Sequence, residues 1–161
     1  MTDPTNIRPF EPADLPALEA LIDAVELFPS ELLDGMIGSE PGGDDTSADD
    51  EPAAFWRVYA EPAPLAVLYC APEPMTSGTW NALLLAVHPG RHGEGIGTDL
   101  MRHAERIVAA RGARLLLVET SGKEAFARTR GFYRRIGYEE VARVADYYDV
   151  GDDKRVFRKA L

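Results

Sequence analysis

The chain has 161 residues, 45% of them apolar, which suits one domain with a substantial core. Its formal charge is −10, from 17 basic and 27 acidic residues, and this excludes the basic face that a nucleic-acid partner calls for. No apolar run approaches the roughly 20 residues that span a bilayer, so no membrane partner is expected. The start, MTDPTNIRPF, has no basic stretch followed by an apolar one, so no secretory leader is read and a cytoplasmic location is expected. The single cysteine, Cys70, cannot close an internal disulfide, and within PLAVLYCAP it reads as a buried, inert thiol.

Residues 6–10 read as a short first strand. Asp14 is placed to cap a helix whose Leu18, Leu21, Ile22 and Val25 follow the i, i+3, i+4, i+7 spacing of one apolar face. Ser30 is placed to cap a second helix, ELLDGMI, that Gly38 ends. Residues 39–52, SEPGGDDTSADDEP, hold six acids and no base; the rest of the chain balances 17 bases against 21 acids, or −4. Such a stretch has almost nothing to bury and is expected to form a mobile loop, either simply solvated or a flap that attracts a cationic substrate.

Two strand-like runs follow, AFWRVYA and PLAVLYCA, and Pro62 and Pro64 mark the turn of a hairpin between them. TWNALLLAV is nearly continuous in apolar residues, which fits a central strand covered on both faces, and it stops at His88-Pro89. A helix is predicted over 96–110, with Ile96, Leu100, Ala104, Ile107 and Val108 on one face and Gly112 at its end. ARLLLVET is a further buried strand. GKEAFARTRGFYRRI reads as a helix closed by Gly137, and YEEVARVADYY and KRVFRKAL as two last strands turning around Gly151-Asp152-Asp153. This order makes a single mixed α/β domain over residues 1–161, with a mostly antiparallel sheet and a βαβ unit inside it.

The segment between the central strand and its helix, Val87-His88-Pro89-Gly90-Arg91-His92-Gly93-Glu94-Gly95-Ile96-Gly97-Thr98, alternates three glycines and then starts a helix. Glycine lets a ligand approach the backbone amides, and a helix N-terminus offers unpaired N–H groups at the positive end of its dipole. Together they suit phosphate. The loop is neither a P-loop, which needs Gly-Lys-Ser/Thr, nor a dinucleotide fingerprint, whose third glycine would fall elsewhere.

HGEGIGT after LAVHP resembles the acyl-CoA pyrophosphate loop of the GNAT superfamily of N-acetyltransferases. That loop reads Q/R-x-x-G-x-G/A and falls on His92-Gly93-Glu94-Gly95-Ile96-Gly97; His92 departs from the pattern, and Arg91 beside it offers a charge. A second signature of that family, FYxxxGF/Y, matches Phe132-Tyr133-Arg134-Arg135-Ile136-Gly137-Tyr138 in full. The resemblance implies a GNAT-like fold, a central, mostly antiparallel sheet of about seven strands with helices on both faces. It implies acetyl-CoA as co-substrate, no metal, and an amine of a small molecule or peptide as acceptor, attacked directly in a ternary complex of a monomer or homodimer.

In that family the strand before the loop splays at a bulge and its backbone binds pantetheine. By resemblance those residues are Leu85, Ala86 and Val87, with the Val87 amide as oxyanion donor. The loop residues from His92 to Thr98 (His92, Gly93, Glu94, Gly95, Ile96, Gly97, Thr98) would hold the pyrophosphate, and Tyr133 would protonate the departing thiolate. Many relatives place a glutamate base where this chain has Asn81, which can hold a water but accept no proton as a base. Glu119 at the end of the next strand, His88 and ordered water are the remaining routes for the proton. Trp56, Tyr59, Tyr69, Trp80, Tyr147 and Tyr148 are candidates for an acceptor pocket or for core. The alternative reading is an acyl-CoA-binding or sensing module with the same fold and weak catalysis.

Overall fold

The computed structural model describes residues 5–26, 30–38 and 54–161. The acidic stretch 39–52 therefore lies outside the described residues. Seven strands run in chain order: β1 (Ile7–Pro9), β2 (Phe55–Ala60), β3 (Pro64–Pro72), β4 (Thr79–Val87), β5 (Leu115–Ser121), β6 (Glu139–Asp149) and β7 (Asp152–Ala160). They form one sheet in the order β1-β2-β3-β4-β5-β7-β6, antiparallel throughout except for the parallel pair β4·β5. Four helices, α1 (Leu15–Val25), α2 (Glu31–Gly38), α3 (Ile96–Ala110) and α4 (Ala127–Arg135), cover both faces.

The two faces carry two cores. Leu18, Leu21 and Ile22 of α1 and Leu33 of α2 pack on Trp56, Val58, Val67, Leu84 and Ala86. On the other face Ile96, Leu100, Met101, Ala104 and Val108 of α3 pack with Tyr133, Leu116, Val118 and Phe157. Strand β4 supplies side chains to both cores, as its unbroken apolar sequence requires. Cys70 is fully buried, and burial pushes its thiol up to about 12, which keeps it inert.

Three sequence expectations are corrected. Asp14 makes no cap bond to α1. Its buried carboxylate instead accepts two hydrogen bonds from Arg8, at 2.7 and 2.8 Å, and one from the Glu11 amide at 2.9 Å. The helix over 122–136 begins later, at Ala127, after a short 3-10 turn over Glu124–Phe126. Lys123 is extended there, its amide held by Ser121 Oγ, and buried Arg130 donates to the Ser121 and Lys123 carbonyls, so helix geometry cannot start at Gly122. In the last hairpin Asp152 and Asp153 belong to β7 rather than to the turn.

The Arg8–Asp14 pair ties the edge strand to α1, and it gives a test. Arg8's hydrogen bond holds the Asp14 carboxyl below the usual carboxylate range, against the opposing effect of burial. A depressed acid stabilises above its unfolded pKa of about 3.9 and loses that contribution as pH falls through the folded value. Asp14→Asn is expected to lower the Tm at neutral pH by about 4–8 °C, for roughly 2 kcal/mol of lost charged hydrogen bonds. The gap between parent and variant is expected to narrow as the pH approaches 2; a gap that stays constant with pH would contradict the pairing.

Candidate active site

The site is built on a fork in the sheet. Strand β4 pairs with β5 only from Thr79↔Leu115 to Ala82↔Val118. Immediately beyond, the β3–β4 register shifts between Tyr69↔Leu84 and Cys70↔Ala82, which leaves Leu83 as an extra, exposed residue on β4. The bulge turns β4 away from β5. The His88 amide donates to the Leu65 carbonyl at 2.8 Å, so Val87 and Leu85, opposite Ala66 and Leu68, occupy the non-hydrogen-bonded positions of that ladder. Their N–H and C=O groups therefore face the gap where β5 has departed. The Val87 carbonyl uses this direction to accept a hydrogen bond from His92 Nε2 at 2.9 Å.

Above the gap stands the N-terminus of α3. Gly93 and Gly95 have φ of +83° and +86°, and a Cβ on either would meet no protein atom within 4 Å. Open space lies directly over the loop backbone. Gly97 is needed for packing instead: a Cβ there would come within 3.3 Å of the Phe132 ring. The loop is braced from outside. Arg91 donates to Glu94 at 2.5 Å and to Glu61, on the β2–β3 turn, at 2.9 Å. Its charge is thus shared with two carboxylates, and Arg91 does not supply the free cation that the sequence suggested. Ala86 faces the α1 core, and the Glu94 side chain is spent on Arg91.

Between this loop and α4 lies a cleft of about 410 Å³. Leu85, Val87, His92, Gly93, Gly95, Ile96, Gly97, Thr98 and Tyr133 all line it. So do Arg128, Phe132, Arg135 and Ile136, which the sequence reading left unassigned. Their spacing (i, i+4, i+7, i+8) is that of one helical face, and a wheel centred on Phe132 could have found them. Arg128 and Arg135 form no ion pair among the described residues, so they and the helix terminus give the cleft its positive charge. Tyr133 is buried with its ring 5.2, 5.9 and 6.1 Å from those of Phe132, Tyr138 and Phe157. Its hydroxyl has no hydrogen-bond partner among the described residues. Burial, aided by the nearby Tyr148 phenol, holds its pKa well above the ordinary phenol value.

Asn81 and Glu119 do not line the cleft. They meet on the opposite side of the fork, where the alternation of β4 and β5 turns them away from Trp80, Leu116 and Val118. Asn81, 1% exposed, donates its Nδ2 to Glu119 Oε1 at 3.1 Å and to Glu73 Oε1 at 2.8 Å. Carboxylates only accept, so the amide's nitrogen end must face them. Its Oδ1 is buried without a partner among the described residues. Lys154 Nζ lies 3.0 Å from Glu119 Oε1 and 4.3 Å from the centre of the Tyr147 ring. Glu73, placed by the register Ala71↔Asn81, gave no local signal in the sequence. Of the aromatic candidates, Trp56, Tyr59 and Trp80 are core, while Tyr147 and Tyr148 are exposed beside this cluster. His88 bonds the Gly90 amide through Nδ1 and serves the turn.

Among the described residues no group of His, Cys, Asp or Glu side chains could hold a metal, and no helix is long and apolar enough to cross a membrane.

Comparison with known proteins agrees with this geometry. A family model, the acetyltransferase (GNAT) domain, matches residues 48–140. No curated protein matches the sequence. Among solved structures, a protein from Desulfovibrio desulfuricans assigned to the GNAT acetyltransferases is 28% identical, with a TM-score of 0.79 over 96% of this chain and 97% of its own. The ribosomal-protein-S18-alanine N-acetyltransferase of Escherichia coli is 17% identical, with a TM-score of 0.71 over 96% and 92%. An aminoglycoside 6'-N-acetyltransferase complexed with coenzyme A is 18% identical, with a TM-score of 0.64 over 96% of each chain. The last two share the fold. With the family model matching more than half of the chain, on a sheet forked beside a glycine-rich helix start, the chain belongs to the GNAT acetyltransferase family.

Proposed function

We propose that the protein is an N-acetyltransferase that moves an acetyl group from acetyl-CoA to a primary amine of a small molecule or peptide, by direct attack in a ternary complex. The observation that carries this reading is the fork between β4 and β5, which opens a cationic cleft on one face of the sheet and a carboxylate cluster on the other. The residues present fit coenzyme A: open space over Gly93 and Gly95, backbone amides at the start of α3, and two arginines at the cleft that form no ion pair among the described residues. Bound there, acetyl-CoA supplies an acyl group activated as a thioester.

The chain's own residues then divide the work. The loop from His92 to Thr98 binds anionic phosphate through its amides. The Leu85 and Val87 backbones, directed at the gap, bind an extended amide-bearing arm as a missing strand would. Leu85 is nearer the carboxylate cluster, so its amide, with that of Val87, is placed to stabilise negative charge developing on a carbonyl oxygen. Tyr133 keeps its proton through neutral pH and holds it ready for a leaving sulfur. Glu119, fixed by Asn81 and Lys154, takes the proton from the amine.

One observation favours the alternative of a weakly catalytic acyl-CoA-binding or sensing module: Asn81 stands where a carboxylate base is often found. The bond from Asn81 to Glu119 answers it, since the asparagine positions a carboxylate one strand away. Glu119→Gln is expected to lower kcat/KM by about 10²-fold, the usual worth of a positioned base, and to leave coenzyme A affinity unchanged. Thiol release with a panel of amines measures the first and calorimetry the second. An unchanged kcat/KM would remove Glu119 from the mechanism.

A further inference from the structure

Arg130 is the one charged side chain that α4 buries, and it does not line the cleft. The helix is 9 residues long, has no side-chain cap at its start and carries Gly131 in its middle, so little in its own sequence holds it. Arg130 and Tyr133 are its two buried residues, one turn apart at i, i+3, and these two side chains seat it on the sheet. Tyr133 enters the aromatic core through its ring. Its hydroxyl has no hydrogen-bond partner among the described residues, so no local bond fixes where the phenol proton stands. Arg130 supplies the polar anchor. Its Nη1 donates to the Ser121 carbonyl at 2.7 Å and to the Lys123 carbonyl at 2.9 Å, bonds that the guanidinium charge strengthens. The anchorage is itself held. Ser121 is the last residue of β5, and its Oγ bonds Asp152 at the start of β7 and accepts from the Lys123 amide at 3.0 Å. The Gly122 amide donates to the Asp153 carbonyl at 2.8 Å. Phe132, in the turn between the two seated residues, lies against Gly97 of the glycine-rich loop.

We infer that Arg130 is a positioning residue: by fastening α4 to the end of β5, it sets the place of the Tyr133 hydroxyl in the cleft. This inference rests on the transferase reading and adds to it. A proton donor acts only within hydrogen-bond reach of the atom it serves, and a misplacement of about 1 Å costs up to about 10²-fold in rate. Arg130 lies off the cleft and touches no reacting group there, so its effect on the reaction passes through Tyr133.

The test uses the full chain with acetyl-CoA and butylamine, in a cycle of parent, Arg130→Met, Tyr133→Phe and the double variant, below the Tm of all of them. Arg130→Met leaves two carbonyls without their donor and is expected to lower the Tm, as loss of any structural arginine would. It is also expected to lower kcat about tenfold or more, with coenzyme A affinity unchanged by calorimetry. In the Tyr133→Phe background it is expected to cause no further fall in kcat, because the hydroxyl it positions is already gone. Arg130→Lys, which keeps a charged donor on a shorter stem, should recover part of kcat, and it takes the place of Arg130→Met in the cycle if that variant does not fold. A second reading needs no turnover. The carbon-13 resonance of Tyr133 Cζ, assigned by its loss in Tyr133→Phe, is expected to move in the Arg130 variant, while that of Tyr59 on β2 stays. An unchanged kcat, or an equal fall in both backgrounds, overturns the inference and leaves the transferase reading intact. Absence of thiol release from the parent with any amine removes the transferase reading; the Tyr133 resonance then decides the inference alone, and a resonance that stays in place overturns it.

Discussion

Gly95→Val is expected to weaken coenzyme A binding by more than tenfold, while Gly112→Ala, a change at a similar backbone conformation, leaves it untouched. Both glycines lie in the left-handed region, at φ of +86° and +84°, and both face open space where a Cβ would stand. A side chain at either costs about 1–2 kcal/mol of backbone strain, with more for the β-branched valine. The two differ in where that Cβ projects. At Gly95 it enters the cleft over the first amides of α3, where an anion must come close. At Gly112 it lies past the far end of the helix. Losing even one charged hydrogen bond from those amides is worth about 1.5–3 kcal/mol, hence the tenfold or more. Thermal melts should show both variants destabilised, and calorimetry should separate them. Equal coenzyme A affinity in parent and Gly95→Val would show that the loop is only a tight turn.

Tyr133→Phe is expected to slow the chemical step by about 10²-fold with little effect on folding or on coenzyme A affinity. The hydroxyl has no hydrogen-bond partner among the described residues, so its removal strands no donor or acceptor, and the ring keeps its contacts with Phe132, Tyr138 and Phe157. Burial raises the phenol's pKa, which favours the neutral, proton-bearing form. The same desolvation raises the basicity of a thiolate leaving beside it, so donor and acceptor stay matched. Two consequences follow from the sign of that shift. The loss should appear in kcat more than in KM, and the pH–rate profile should show no alkaline limb from Tyr133 below about pH 10, the ordinary phenol value. Unchanged kcat with chemistry rate-limiting would reduce Tyr133 to a packing residue, and loss of coenzyme A binding would make it an organiser of the site.

What could be read from the sequence was what is local. The span of β4 from Thr79 to Val87 and of α3 from Ile96 to Ala110 followed from an apolar run stopped by His88-Pro89 and from one clean helical face before Gly112. The glycine alternation marked the cleft because backbone conformation is written in residue type. Contacts set by register could not be read this way. Glu73 reaches Asn81 because Ala71 pairs with Asn81 across β3 and β4, and Asn81 reaches Glu119 because β4 and β5 run parallel through Ala82 and Val118. Arg91 found Glu61 across 30 residues, on a hairpin turn that no spacing rule brings to the loop. Asp14 had two competing uses, cap or ion pair, and the nearness of Arg8 on the edge strand decided for the pair. The start of α4 was misread because Lys123, Glu124 and Ala125 look helical in composition, while buried Arg130 holds the Ser121 and Lys123 carbonyls.

In the function proposed above, the chain binds acetyl-CoA on one face of a forked sheet and passes its acetyl group to an amine on the other. Incubation of the protein with acetyl-CoA and butylamine, followed by quantification of free thiol and of N-acetylbutylamine in the same sample, tests it most directly. The predicted result is that the two products appear in equal amounts and in proportion to protein, and that both fall together in Tyr133→Phe. Saturable binding of acetyl-CoA with no N-acetyl product, or thiol release without it, would contradict the account.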